Sequence, residues 1–100
     1  GQTLSLTDQE QDVEVSLTVE AAGAGKSHLS VELRELAPGR PLGRAQVSLS
    51  YPSGGEVANM RDEKVTFLGL EPSQYAVEIR VIEGERAGQI WQFTIIIEAA

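Results

Sequence analysis

Apolar and polar residues alternate with a period of two along most of this chain. The clearest runs place apolar side chains at every second position within 13–19, 29–33, 45–51, 75–81 and 91–97. The residues between them are mainly polar, so each run has one apolar face and one face suited to water. No stretch of useful length repeats its apolar residues at the spacing of a helix. The pattern therefore predicts an all-β chain.

Turn signals built on glycine and proline separate these runs. They lie at 21–26, 38–43, 52–55, 69–72 and 83–86. Shorter alternating stretches at 4–6 and 65–67 add two strands, and 57–60 predicts a short strand or an irregular edge. Such frequent turns predict a seven- to eight-stranded antiparallel sandwich of immunoglobulin-like architecture. One domain over residues 1–100 accounts for all of these strands.

Segment 70–75 predicts a crossing between the two sheets of this sandwich. Leu70 is expected to fill the core as the chain leaves one strand, and Pro72 fixes its own φ angle. Tyr75 then begins the next strand with its ring in the core and its hydroxyl within reach of the turn backbone. This arrangement is a tyrosine corner, a structural device that predicts the scaffold and leaves the ligand open.

Residues about 29–82 resemble the carboxypeptidase regulatory-like and collagen-binding B-type modules, which are prealbumin-like sandwiches. The matching pieces are GRPLGRAQVSL at 39–49 and VTFLGLEPSQYAVEI at 65–79. Ala45 stands where these families enter a strand through a small residue, and Ser73 replaces the glycine usual in their turn. Fibronectin type III domains carry a similar turn, but their tryptophan lies on an early strand, whereas Trp91 lies on the last. The resemblance therefore implies a prealbumin-like strand order.

The charge balance limits the partners that this chain is expected to bind. Fifteen acidic and eight basic residues give a formal net charge of -7, which opposes nucleic acid because phosphate contacts need clustered Lys and Arg. The longest apolar run, 94–97, is far too short for membrane insertion. The absence of cysteine excludes disulfides and thiolate metal sites, and leaves cytoplasmic and exported locations both open. Because the first residue is Gly1, we interpret the chain as a piece of a larger protein or as a processed chain.

Two features point towards nucleotide binding or catalysis, and neither meets the full requirement. The stretch GAGKS at 23–27 is similar to the end of a phosphate loop, but Glu20 stands where that loop needs glycine. A strand pattern follows it, where a helix N-terminus would have to face the phosphate. His28 is the only histidine, and no acid-held base beside a nucleophile is evident around it. No catalytic residue and no cofactor site are predicted, and a small hydrolase has the least support.

Acidic residues alternate near the start of the chain and offer oxygen ligands of the kind that calcium takes. They are Asp8, Glu10, Asp12 and Glu14. No glycine lets this segment wrap around an ion, so the favoured interpretation is that these side chains face water and discourage edge-to-edge pairing. The isopeptide bond of collagen-binding B-type domains is rejected, because the last strand has no asparagine or aspartate. No metal site is predicted.

Three side chains are candidates for contact with a partner: Tyr51, Ile90 and Ile96. The odd-numbered residues of 91–97 share one face of the last strand, while Ile90 and Ile96 lie on the other. A strand that is apolar on both faces is covered on both or is available to a partner. A loop of the chain, an adjacent domain or a second copy in a homodimer would provide that cover. Tyr51, next to Pro52 and a glycine-rich loop, is the aromatic residue most expected to be exposed.

These features together predict a non-enzymatic β-sandwich module for protein–protein interaction, or a spacer within a multidomain protein. The alternative that follows from the resemblance is an exported module for adhesion or carbohydrate binding. Sugar binding would need exposed aromatic platforms, and most of the aromatic residues here are in phase with apolar neighbours.

Overall fold

The computed structural model describes residues 2–37, 39 and 41–99. Pro38, part of the predicted turn, and Arg40, part of the matching segment, lie outside the described residues, as do Gly1 and Ala100. Within the described part of the chain, no helix is present that could span a membrane. Its eight strands are β1 (Gln2–Asp8), β2 (Val13–Gly23), β3 (Lys26–Glu35), β4 (Ala45–Tyr51), β5 (Gly54–Asn59), β6 (Lys64–Leu70), β7 (Ser73–Val81) and β8 (Ile90–Ile97).

The strands form two four-stranded antiparallel sheets. The first sheet has the order β1-β2-β3-β6 and the second has the order β5-β4-β7-β8. The predicted all-β antiparallel sandwich is therefore confirmed, with eight strands. The four edge strands are β1 and β6 in the first sheet, and β5 and β8 in the second.

The core lies between the sheets and is built by the alternation seen in the sequence. Every second residue of the central strands is buried, because side chains along a strand point alternately to opposite faces. The fully buried side chains of these strands include Val13, Val15, Leu17, Leu29, Val31, Leu33, Val47, Leu49, Val77, Ile79 and Val81. The polar residues between them lie on the outer faces. Leu42, from the loop between β3 and β4, is also buried in this core.

The glycine-rich stretch 23–27 forms the tight hairpin between β2 and β3. Ala24 and Gly25 have φ angles of 54° and 73°, the left-handed conformation that two-residue hairpin loops require. β3 follows from Lys26, so the stretch leads into a strand and not into a helix N-terminus. This agrees with its interpretation as a hairpin.

The end of β6 differs from the prediction that Gly69 terminates the strand. β6 continues to Leu70, and its pairing with β3 shifts register between Ser27 and Leu29. Gly69 takes a φ of 65° at this irregularity, and its N–H donates to Nδ1 of His28 over 3.1 Å. The glycine is therefore a bulge residue, which a sequence pattern cannot distinguish from a strand end. His28 is half-buried and accepts this bond.

The second difference concerns β5, predicted as a short strand or irregular edge at 57–60. The strand runs from Gly54, inside the predicted turn, and Tyr51 pairs directly with Gly54. Only Pro52 and Ser53 remain in the connection. Gly55 lies so close to β4 that an added Cβ would stand 2.9 Å from the Leu49 carbonyl oxygen. Gly54 and Gly55 therefore belong to a strand that approaches β4 closely, and the turn predicted at 52–55 is shorter than expected.

The tyrosine corner at 70–75 is confirmed. It connects β6 in the first sheet with β7 in the second, and both Leu70 and Tyr75 are buried. The Tyr75 hydroxyl donates to the carbonyl oxygen of Glu71 over 2.6 Å. The ring of Tyr51 packs edge-on against Tyr75, with 5.6 Å between ring centroids.

Substituting Tyr75→Phe removes the hydroxyl and leaves the Glu71 carbonyl without this donor. We expect the free energy of unfolding to fall by about 1 kcal/mol, the usual contribution of one hydrogen bond. Urea unfolding followed by circular dichroism measures the change. Tyr51→Phe is the matched control and is expected to change stability by less than about 0.5 kcal/mol. Equal effects of the two substitutions would contradict the role given to the Tyr75 hydroxyl.

Stability should also depend on pH through Tyr75. Burial raises the pKa of the Tyr75 hydroxyl above its ordinary value of 10.0, and the carboxylate of Glu71 raises this pKa further. The unfolded chain therefore loses this proton at lower pH than the folded chain, so stability falls as pH rises above about 10. Unfolding titrations across this range should show a shallower decline for Tyr75→Phe than for the unchanged chain. Identical slopes would rule out a contribution from Tyr75.

Candidate functional site

Edge strands β1 and β8 lie next to each other on one side of the sandwich. The indole Nε1 of Trp91 on β8 donates to Oδ2 of Asp8 on β1 over 3.0 Å. A shallow groove of about 560 Å³ runs between the two edges, with Leu4 and Ile95 in its lining. We call residues 2–7 and 90–97 the open side, because both strands have an unpaired edge here.

The β1 half of the open side carries an uncovered part of the core face. Leu4 lies opposite Leu17, and Leu6 lies opposite Val15. Directly opposed residues of a strand pair point to the same face, so both leucines project towards the core side. Leu4 is nevertheless 51% exposed and Leu6 is 45% exposed. The inner face of the first sheet therefore extends past the cover that the second sheet provides.

The β8 half carries the two predicted isoleucines. Ile90 and Ile96 lie opposite Arg80 and Gln74 of β7, on the outer face of the second sheet. They are 44% and 66% exposed. Within the described residues, no loop therefore covers these two side chains, although such a loop was one of the expected possibilities. Trp91 and Ile97, on the opposite face, are buried, as the alternation predicted.

Tyr51, the third predicted contact residue, does not join this group. It is half-buried and packs against the core from the end of β4. The strand order places β7 between β4 and β8, so Tyr51 lies away from the open side. The turn signal at 52–55 suggested exposure, but the ring contact with Tyr75 holds the side chain inward.

The opposite side of the sandwich, formed by β5 and β6, is protected against strand pairing. Glu56 on β5 lies opposite the buried Leu49 and so projects towards the inner face, and β6 carries the bulge at Gly69. Inward charges and bulges are common ways of preventing edge-to-edge association. Val57 and Leu68 are exposed there, but each stands singly on its own strand.

The open side lacks these protective features. β1 pairs with β2 without a register shift, and β8 pairs with β7 in the same regular way. No charged residue occurs within 2–7 or 90–97. A regular, uncharged and apolar edge is a template for an added strand, so the two sides of the molecule differ in their capacity to bind one.

A polar cluster ties the β1–β2 turn to the β7–β8 loop at one end of the open side. Oδ1 of Asp8 accepts the N–H of Gln11 over 3.2 Å, while its Oδ2 accepts from Trp91. Arg86 is buried and donates to the carbonyl oxygen of Gln11. Gln89 donates through its Nε2 to the side chain of Gln11. These bonds join the two sheets outside the apolar core.

Sequence reasoning missed this cluster. Residues 83–86 were predicted to form a hairpin turn, and an arginine in such a polar segment has no pattern that indicates burial. The alternating acidic residues also separate. Asp8 belongs to this cluster, whereas Glu14 pairs with Arg34 over 3.1 Å. Among the described residues, no group of three or more potential ligands is placed to hold a metal ion.

The polar groups around His28 are engaged in strand contacts. Ser30 and Thr66 share a hydrogen bond of 3.0 Å between their hydroxyls, and Nδ1 of His28 accepts from Gly69. Comparison with protein-family models and with curated proteins gives no match. The function is therefore inferred from the surface of the sandwich.

Substituting Asp8→Ala removes the acceptor for both Trp91 and the Gln11 N–H. Hydrogen bonds to a charged group contribute about 1.5–3 kcal/mol, so we expect a loss of about 2 kcal/mol from the free energy of unfolding in urea. Glu10→Ala, in the same turn and exposed, removes the same charge and serves as the control. A comparable loss for Glu10→Ala would show that charge alone, and not the tie to Trp91, is responsible.

Proposed function

We propose that this chain is a non-enzymatic protein-interaction module that binds an extended segment of its partner along the open side. The observation that carries the proposal is the exposure of Leu4 and Leu6, whose side chains project towards the core side of their sheet. Burying apolar surface contributes about 25 cal/mol per Å². A partner that covers these leucines therefore gains the hydrophobic stabilisation that the second sheet does not provide.

Strand addition is the mode of binding that this surface favours. An extended segment paired with an edge strand forms main-chain hydrogen bonds, while its alternate side chains enter neighbouring apolar sites. The groove between β1 and β8 offers such sites beside Leu4 and Ile95. Because 2–7 and 90–97 carry no charge, the preferred segment is apolar or neutral.

The aliphatic character of the open side favours a protein partner over a carbohydrate. Leu4, Leu6, Ile90 and Ile96 present no flat aromatic ring to a sugar, and Tyr75 and Trp91 are buried. Adhesion or carbohydrate binding therefore has less support here than protein binding. A spacer role in a multidomain protein is compatible with the same surface, since an adjacent domain can be the partner.

We propose further that the sandwich is of the prealbumin-like type, related to the carboxypeptidase regulatory-like and collagen-binding B-type modules. The matching pieces fall on β4 and on the β6–β7 corner, where the resemblance requires a strand and a crossing between sheets. The net charge of -7 supports a partner other than nucleic acid.

A display library of random extended peptides, selected against the unchanged chain, tests the proposed function. We expect neutral peptides with alternating apolar residues to be enriched. Their binding should shift backbone NMR resonances of residues 2–8 and 90–97 more than those of β5 and β6. Leu4→Lys with Leu6→Lys should weaken binding at least tenfold, because two charges are then placed on the edge strand β1.

A control keeps this test specific to the open side. Val57→Lys adds one charge to an exposed residue of β5 and should leave peptide affinity unchanged within about threefold, as surface substitutions away from a contact usually do. Selected peptides that shift only β5 and β6, or a selection that enriches no peptide, would contradict the proposed function.

A further inference from the structure

We infer that the occupant of the open side is a second copy of this chain, paired through β8 in an antiparallel, two-fold-symmetric dimer. The inference rests on the proposed function and names its partner.

The free hydrogen-bonding groups of β8 belong to its even-numbered residues. Val81 donates its N–H to the carbonyl of Gln89 over 3.0 Å and accepts from the N–H of Gly88 over 2.8 Å. In an antiparallel pair, alternate residues direct both groups towards the same neighbour. Odd-numbered residues of 91–97 therefore face β7, and the N–H and C=O groups of Ile90, Gln92, Thr94 and Ile96 lie at the open edge.

Symmetry restricts the register in which two β8 strands can pair. Opposed residues share a face, so an even-numbered residue of one β8 strand must lie opposite an even-numbered residue of the other. The two-fold axis therefore passes through one residue, which lies opposite its own copy, and not between two residues. An axis at Phe93 places Ile90 opposite the partner's Ile96, and Gln92 opposite the partner's Thr94. All of these residues have free edge groups, so each of these pairs exchanges two main-chain hydrogen bonds.

The neighbouring registers are less favourable. An axis at Thr94 places Ile90 opposite the carboxylate of the partner's Glu98, and Ile96 opposite the amide of the partner's Gln92. An axis at Gln92 places Ile96 opposite the partner's Gly88, which offers no side chain. Only the axis at Phe93 pairs the exposed isoleucines with each other, so it buries the most apolar surface.

The uncharged β8 edge permits a second copy, and the adjoining strand β1 supplies further apolar area. Each chain carries a formal net charge of -7, but residues 90–97 are uncharged. No like charges therefore meet where the two β8 strands pair. A stable interface needs roughly 1,200 Å² or more in total, more than one narrow strand pair provides. Leu4 of each copy lines the groove beside Ile96, so its exposed side chain adds apolar area to the interface.

Sedimentation equilibrium from micromolar to millimolar concentration tests the dimer. We expect the unchanged chain to dimerise, and more strongly at high salt because salt screens the repulsion between two acidic chains. Ile96→Lys should weaken dimerisation at least tenfold, although it brings the net charge closer to zero. Val57→Lys adds the same charge to the exposed edge of β5 and should leave the dimer unchanged within about threefold.

A compensating variant tests the register. Ile90→Glu combined with Ile96→Lys places Glu opposite Lys twice in the register centred on Phe93, so it should recover most of the affinity lost in Ile96→Lys. In the register centred on Thr94 the same variant would place Glu opposite Glu98 and recover nothing. Failure of the recovery therefore overturns the Phe93 register.

Cross-linking gives a readout that does not depend on the lysine variants folding well. The chain has no cysteine, so Phe93→Cys introduces a single thiol on the axis. There the two Cα atoms would lie about 4.5 Å apart, within the range that a disulfide spans. Phe93→Cys should form a covalent dimer on mild oxidation faster than Thr94→Cys, and the reverse order would overturn the inference.

The outcomes separate this inference from the proposed function. A clean monomer at millimolar concentration overturns the dimer, and the proposed function stands if selected peptides still shift residues of the open side. A dimer that Val57→Lys disrupts as strongly as Ile96→Lys overturns the inference as well, because the contact would then not be specific to β8.

Discussion

Two stacked open sheets leave four strand edges with unpaired backbone groups, and this constraint governs the surface of the molecule. The two sides of the sandwich, one formed by β5 and β6 and the other by β1 and β8, differ in how these edges are protected. On one side the inward Glu56 and the bulge at Gly69 interrupt the regular edges. On the other side β1 and β8 pair regularly, and residues 2–7 and 90–97 carry no charge. The difference gives the molecule a protected side and an available side, although both enclose the same core.

Much of the fold could be predicted because it follows from local, periodic physics. Alternation identified the core strands, and the spacing of Leu70, Pro72 and Tyr75 identified the crossing between sheets. Exact strand limits could not be predicted at Gly54 and Gly69, because glycine serves turns, bulges and close strand contacts alike. Its meaning at each position depends on the strand that lies beside it.

The candidate site was predicted only in part. Ile90 and Ile96 were identified because they are out of phase with the rest of β8. Leu4 and Leu6 were in phase with a core face, and their exposure arises from where the second sheet ends, which no local pattern encodes. Tyr51 was expected to be exposed, but it packs against Tyr75, a neighbour contributed by a distant part of the chain.

The bond between Trp91 and Asp8 also bears on how the molecule folds. β1, β2 and β3 are consecutive in the sequence and can pair locally. β3 also pairs with β6, in which Thr66 bonds to Ser30 from 36 positions away. Pairs so distant in sequence form slowly, because a long loop has to close first. The only tryptophan lies where the first strand meets the last. Its fluorescence therefore reports the joining of the two sheets, and not the formation of either sheet alone.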